Sequence, residues 1–228
     1  MRLEILRRKH AEETPHIVCF DYEPAGNAET VATALTRLNE TLPDPVRWEC
    51  SCLQRKCGAC AMVVNGRPVL ACGARLSGYD KTVRIEPLRK FPVVEDLVVD
   101  RSILYENLRT LRCWLSGSAD MHERAADIGY EASRCLQCGC CLDVCPNFAP
   151  GGDFAGMAGA IPLSRLLAEL PAAELEELSA AYRQHVYAGC GKSLACRQVC
   201  PAGIDVDALL VNSNAVAVWK RLLRRKRT

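Results

Sequence analysis

The chain carries the run CLQCGCCLDVCP from Cys135 and, fifty-five residues later, the run CGKSLACRQVCP from Cys190. Superposed, the runs share cysteine at Cys135/Cys190, Cys141/Cys196 and Cys145/Cys200, and both end in proline. At the remaining position Cys138 is matched by Ser193. A further set, CLQRKCGACAMVVNGRPVLAC, supplies Cys52, Cys57, Cys60 and Cys72. Fifteen cysteines in 228 residues mean either a disulfide framework, as in small secreted domains, or thiolate metal sites. The opening MRLEILRRKHAEE has charges where a secretory peptide has its apolar core. No run of about 18 apolar residues is present to span a membrane. Secretion is therefore not expected, and in a reducing compartment these spacings read as metal ligands.

The spacing C-x4-C-x2-C…C of Cys52, Cys57, Cys60 and Cys72 is the plant-type [2Fe–2S] pattern. It needs a loop that curls around the centre, with Gly58 permitting a tight bend. The Asn65-Gly66 hairpin returns Cys72 to the same place. The run Cys135, Cys138, Cys141, Cys145-Pro146 is the bacterial C-x2-C-x2-C-x3-C-P signature. There the fourth cysteine ligates the other cluster of a pair. Cys135, Cys138, Cys141 and Cys200 are accordingly expected on a [4Fe–4S] cluster, and Cys145, Cys190 and Cys196 on its neighbour. With Ser193 at the fourth corner, two outcomes stand: loss of that iron to give [3Fe–4S], or a serine-ligated [4Fe–4S]. A hard, high-pKa alkoxide is a poor ligand for a soft iron–sulfur site, which favours [3Fe–4S].

Four cysteines remain. Cys19 lies in a strand pattern and Cys113 in a helical one, and both read as small core residues. Cys50 and Cys140 flank proposed ligands. Neither fits the spacing better than its neighbour, so both read as non-ligand thiols beside the clusters.

Around these motifs the pattern changes once. RLEILR and HIVCFDY alternate with period two, as half-buried strands do. TVATALTRLNE sets Val31, Leu35 and Leu38 at helical spacing, with Asn27 or Thr30 as cap. AMVV, Asn65-Gly66 and RPVL make a hairpin, and KTVRIEP a last strand. LRKFPVVEDLVVD, over 88–100, reads as a connector broken by Pro92. Beyond it, DRSILYENLRTLRCWL, IPLSRLLAEL and AAELEELSAAYRQHV are helical, while NFAPGGDFAGMAG is too rich in Gly and Pro for a helix. The expected division is a strand-rich domain over 1–100 and a helical one over 101–228, an α+β chain.

The order of the three motifs, with FPVVEDLVVD between the first and second, resembles the iron–sulfur subunits of succinate dehydrogenase and fumarate reductase over nearly the whole chain. The resemblance implies an N-terminal β-grasp ferredoxin domain and a C-terminal α-helical ferredoxin domain. It also implies a flavoprotein partner carrying FAD and a cytochrome b-type membrane partner with its quinone. The chain would sit peripherally on the cytoplasmic face of the membrane. The [2Fe–2S] centre would face the flavin and the [3Fe–4S] centre the quinone. Ubiquinone-linked members carry tryptophan shortly after the Cys-Pro of the first run and histidine after the first cysteine of the second. This chain has CPNFAPGG, with Phe148 the only nearby aromatic, and Gly191. A menaquinone held mainly by the membrane subunit fits that departure better. At the first cluster the usual CREG is CLQR, which keeps the ligand and changes the loop.

The tail WKRLLRRKRT has six Lys/Arg and no acid. It reads as a solvated basic tail, as a contact for anionic headgroups or a membrane partner, or, least well supported, as a nucleic-acid contact lacking any aromatic platform. His10, His16, His122 and His185 show no paired spacing. No Gly-rich phosphate loop follows a strand. The chain is thus expected to relay electrons without substrate chemistry of its own. The alternatives are a relay for a soluble flavoprotein, such as a thiol-linked fumarate reductase, and an iron–sulfur regulator binding DNA through its tail.

Overall fold

The computed structural model describes residues 1–115, 123–171 and 174–219, which leaves His122 and the basic tail beyond Trp219 outside the described residues. The described residues form two compact units. One comprises Met1–Arg101 with Cys138–Asp143; the other comprises Ser102–Gln137 and the chain from Val144 onward.

In the first unit, β1 (Arg2–Arg7), β2 (His16–Asp21), β3 (Ala61–Val64), β4 (Arg67–Leu70) and β5 (Thr82–Glu86) form one sheet in the order β2-β1-β5-β3-β4. β1 and β5 run parallel and the other pairs antiparallel. Alternation in β1 buries Leu3 and Ile5, and in β5 Val83 and Ile85, as a sheet with one covered face requires. Helix α1 (Val31–Asn39) turns Val31, Leu35 and Leu38 inward. Its cap is Thr30, whose hydroxyl accepts from Thr33 N–H. The β3–β4 turn places Asn65 and Gly66 at φ 47° and 79°, the left-handed pair that Asn-Gly supplies.

The stretch over 88–100 is more than a connector. It carries a short antiparallel pair, β6 (Val93–Glu95) and β7 (Val98–Val99). Pro92 precedes β6 and so removes no ladder bond. The buried Asp96 carboxylate at the turn accepts from Arg7, from Arg8 N–H and from Arg47 N–H. That set of partners fixes a segment whose sequence shows only a proline break.

The second unit is helical: α2 (Ser102–Thr110), α3 (Glu123–Ser133), α5 (Gly156–Glu169), α6 (Leu175–Tyr182) and α8 (Val206–Asn214), with short α4 (Cys140–Val144), which straddles the two units, and α7 (Ala195–Val199) inside the cysteine runs. α5 packs against α2, α3, α6 and α8. The glycine-rich stretch expected to be a loop is one only as far as Ala155, and α5 already runs from Gly156. The reason is close packing: a Cβ on Gly159 would meet Leu111 at 2.6 Å, so a residue type that disfavours helix is required by the neighbour. Pro162 lies inside α5 and removes the bond that Ala158 C=O would otherwise receive. Gln137 Nε2 donates to that carbonyl at 2.9 Å instead.

Candidate iron–sulfur sites

The loop from Cys52 to Cys60 has no regular structure. Leu53, Arg55 and Gly58 stand at φ 52°, 61° and 77°, a succession of left-handed residues that curls the backbone tightly and turns its N–H groups inward. Gln54 N–H and Lys56 N–H donate to Cys52 Sγ at 3.2 and 3.3 Å, and Arg55 N–H donates to Cys72 Sγ at 3.3 Å. Cys72 sits in the 3-10 turn Ala71–Gly73 after β4. Its Sγ lies 3.4 Å from Cys60 Sγ. The two N–H donors hold the Cys52 thiol down to about 7, while burial pushes Cys60 up to about 12. Amides aimed at sulfur suit thiolate ligands, which need donors to disperse their charge. Here Cys52, Cys57, Cys60 and Cys72 belong to one loop and the turn that closes it. Arg101 braces the same loop, donating to the carbonyls of Gly58 and Ala59 at 3.2 and 2.7 Å.

Cys138–Asp143 lies in the first unit, where Gly139 at φ 86° leaves room for Phe91, which a Cβ would meet at 2.8 Å. Asp143, its side chain fully buried, accepts from Arg89 N–H at 2.5 Å and from the Arg89 guanidinium at 2.6 and 3.1 Å. Cys138 and Cys140 are both buried. The Cys140 thiol donates to Cys138, and this bond, with the Arg101 charge, outweighs burial and brings Cys138 down to about 7; Cys140 is pushed well up. A thiol that bonds a proposed ligand is what a non-ligand position beside a cluster permits. Cys141 follows in α4.

Cys135 and Cys200 lie in the second unit. Gln137 Nε2 donates to Cys135 Sγ at 3.3 Å. Arg134 donates to Ala202 C=O, and Asp205 N–H donates to Glu131 at 2.7 Å; these tie the end of α3 to the chain just past Cys200. Cys145 and Cys190 are linked through Asn147, which donates to Gly189 C=O at 2.8 Å. Burial, with Cys145 and Cys190 nearby, pushes Cys196 up to about 11. Ser193 is exposed, between Lys192 and Leu194 at φ 56° and 57°. Beside Cys190 opens a cavity of about 210 Å³ lined by Tyr182, Tyr187, Leu194, Leu210 and Val211. Among the described residues no three Cys, His, Asp or Glu side chains are placed to hold a single metal ion.

Of the cysteines not expected as ligands, Cys19 differs from its reading as a core residue. Cys19 is exposed and accepts from Arg2 at 2.9 Å, because β2 is an edge strand whose alternation buries none of its residues. Cys50 is exposed, preceding the loop on irregular chain. Cys113 lies past the end of α2 rather than within a helix and is half-buried, with burial pushing its thiol up to about 12. Sequence reasoning missed Arg101 and Gln137; the left-handed geometry and the proline that give them their tasks are invisible to spacing rules.

Residues 2–106 match the 2Fe-2S iron-sulfur cluster binding domain family, and residues 131–204 the 4Fe-4S dicluster domain family. The succinate dehydrogenase iron-sulfur subunit of Bacillus subtilis is 34% identical, with 94% of this chain and 91% of that protein covered. One subunit of the fumarate reductase (CoM/CoB) of Methanothermobacter marburgensis is 30% identical over 86% of this chain and 39% of its own length. A chain of the Mycobacterium smegmatis Sdh1 complex in the apo form superposes with a TM-score of 0.78 at 27% identity, covering 95% of each. Curled thiol loop, paired cysteine runs and relatives together place the chain in the family of succinate dehydrogenase and fumarate reductase iron–sulfur subunits.

Proposed function

We propose that this chain relays electrons between the FAD of a flavoprotein subunit and a quinone, preferably menaquinone, at a cytochrome b-type membrane subunit. Its two sequence domains, 1–100 and 101–228, divide the work, with Cys138–Asp143 of the second belonging to the first compact unit. The first holds [2Fe–2S] with Cys52, Cys57, Cys60 and Cys72. The second holds [4Fe–4S] with Cys135, Cys138, Cys141 and Cys200, and [3Fe–4S] with Cys145, Cys190 and Cys196. The clusters supply one-electron chemistry; the protein supplies ligation, burial and donors that tune each potential. The observation that carries the reading is the Cys52–Cys60 loop, whose three consecutive amides at 54, 55 and 56 are aimed at thiols of the expected ligand set.

Serine at position 193 supports three thiolates rather than four at the last centre, because a hydroxyl is a poor ligand for a soft iron–sulfur site. No helix among the described residues is long and apolar enough to cross a membrane, which suits a peripheral place on the cytoplasmic face beside a membrane partner. The methanogen relative, whose name is that of a CoM/CoB-linked fumarate reductase, keeps the soluble thiol-linked relay as the second reading. Affinity purification from native membranes under anaerobic conditions tests both. The expected result is about nine irons per chain, a flavoprotein and a cytochrome b. A soluble complex without cytochrome b selects the second reading, and a chain with far less iron ends both.

A further inference from the structure

Arg101 is conspicuous for the company it keeps. Its side chain is 15% exposed. Nη1 donates to Gly58 C=O at 3.2 Å, and Nη2 to Ala59 C=O at 2.7 Å and Ala61 C=O at 3.4 Å. These carbonyls lie between and just beyond Cys57 and Cys60. Its carboxylate partner is Glu49 at 3.3 Å, a side chain 44% exposed. Nε–H is buried with no hydrogen-bond partner among the described residues.

A buried cation is stable only where it is compensated. Three carbonyls and one solvated carboxylate compensate this one in part, and its orphaned donor adds a cost of its own. The missing compensation is negative charge on the side of the thiols. We propose that Arg101 is a positioning residue which braces the loop of Cys57 and Cys60 and whose largely buried charge raises the reduction potential of the centre held there. The inference rests on the cluster assignment proposed above. Reduction adds one electron and one unit of negative charge to a centre. A nearby, incompletely paired cation therefore favours the reduced form, the more so the less water screens it.

The test is an EPR-monitored redox titration of the full chain, purified anaerobically with its native partners. In Arg101→Gln the reduced-to-oxidised ratio at fixed potential should fall about tenfold at the [2Fe–2S] centre, a shift of ~60 mV for a one-electron couple. Arg101→Lys, which keeps charge and loses the planar fork, should recover at least half of that shift. Clusters retained in Arg101→Gln with unmoved potentials would overturn the proposal. So would a lysine variant shifted as far as the glutamine one, or one that also fails to hold its clusters. If glutamine loses the clusters and lysine keeps them near the native potentials, charge is what the site requires and the proposal stands. Iron and sulfide analysis of the unsubstituted chain reads the cluster assignment separately. Low iron there ends that assignment, whereas full iron with unmoved potentials ends only the role of Arg101.

Discussion

On the proposed cluster assignment, one atom at Ser193 decides the chemistry of a centre. Sulfur at that corner would complete four soft ligands; the hydroxyl oxygen is hard and keeps its proton at neutral pH. Cys138, the counterpart in the first run, is buried, whereas Ser193 is exposed. Ser193→Cys should therefore move the last centre toward [4Fe–4S]. The check is the EPR signal of the oxidised three-iron species, expected to be lost in parallel with a gain of about one iron per chain. A signal of undiminished size would mean that the three-iron assignment, or the ligand set behind it, is wrong. The added cysteine must turn inward from a solvent-facing position between two left-handed residues, so partial conversion is the expected extent.

Secondary-structure elements show how a site constrains the fold that carries it. Pro162 would ordinarily weaken α5, yet its cost is offset where it falls, because Gln137 Nε2 takes the vacated Ala158 carbonyl and also reaches Cys135 Sγ. Helix register and ligand position are thereby joined through one amide. Gln137→Leu leaves a buried carbonyl unsatisfied, at about 1–3 kcal/mol. The thermal midpoint of the holo chain should fall by about 2–4 °C for each of those. Adding Pro162→Ala restores the helical bond and should return part of the loss, a coupling that a double-mutant cycle measures; strictly additive effects would dissociate the two residues. The strands, α1 with its Thr30 cap and the Asn65-Gly66 hairpin were legible because each rests on local period or turn chemistry. The β6–β7 pair, the start of α5 and the exposure of Cys19 were not. They depend respectively on Asp96 meeting partners far along the chain, on Leu111 filling the space at Gly159, and on which strand lies at the sheet edge. Non-local contacts of this kind leave no period in a sequence.

On the scale of the molecule, what matters is where electrons leave. The sequence lacks the tryptophan and histidine of ubiquinone-linked relatives, an argument that the quinone rests mainly on another subunit. The structure nevertheless opens a cavity beside Cys190, walled by Tyr182, Tyr187, Leu210 and Val211 with Lys192 at its edge, and Lys192 Nζ lies 5.4 Å from the centre of the Tyr187 ring. Asp207 and Asn214 add polar groups to a wall that is otherwise apolar and aromatic, the kind of lining that suits a flat, weakly polar ring. If electrons leave by this side, Leu210→Trp, which fills the cavity from a half-apolar helix, should lower quinone-linked turnover several-fold. Succinate-dependent reduction of a soluble dye that accepts electrons at the flavin should be untouched. The ratio of the two activities is the measurement, because loss of folding or of clusters lowers expression and iron content instead of separating the two rates. Equal activity in both assays would return the quinone wholly to the membrane subunit and leave the cavity as a packing feature around the last centre.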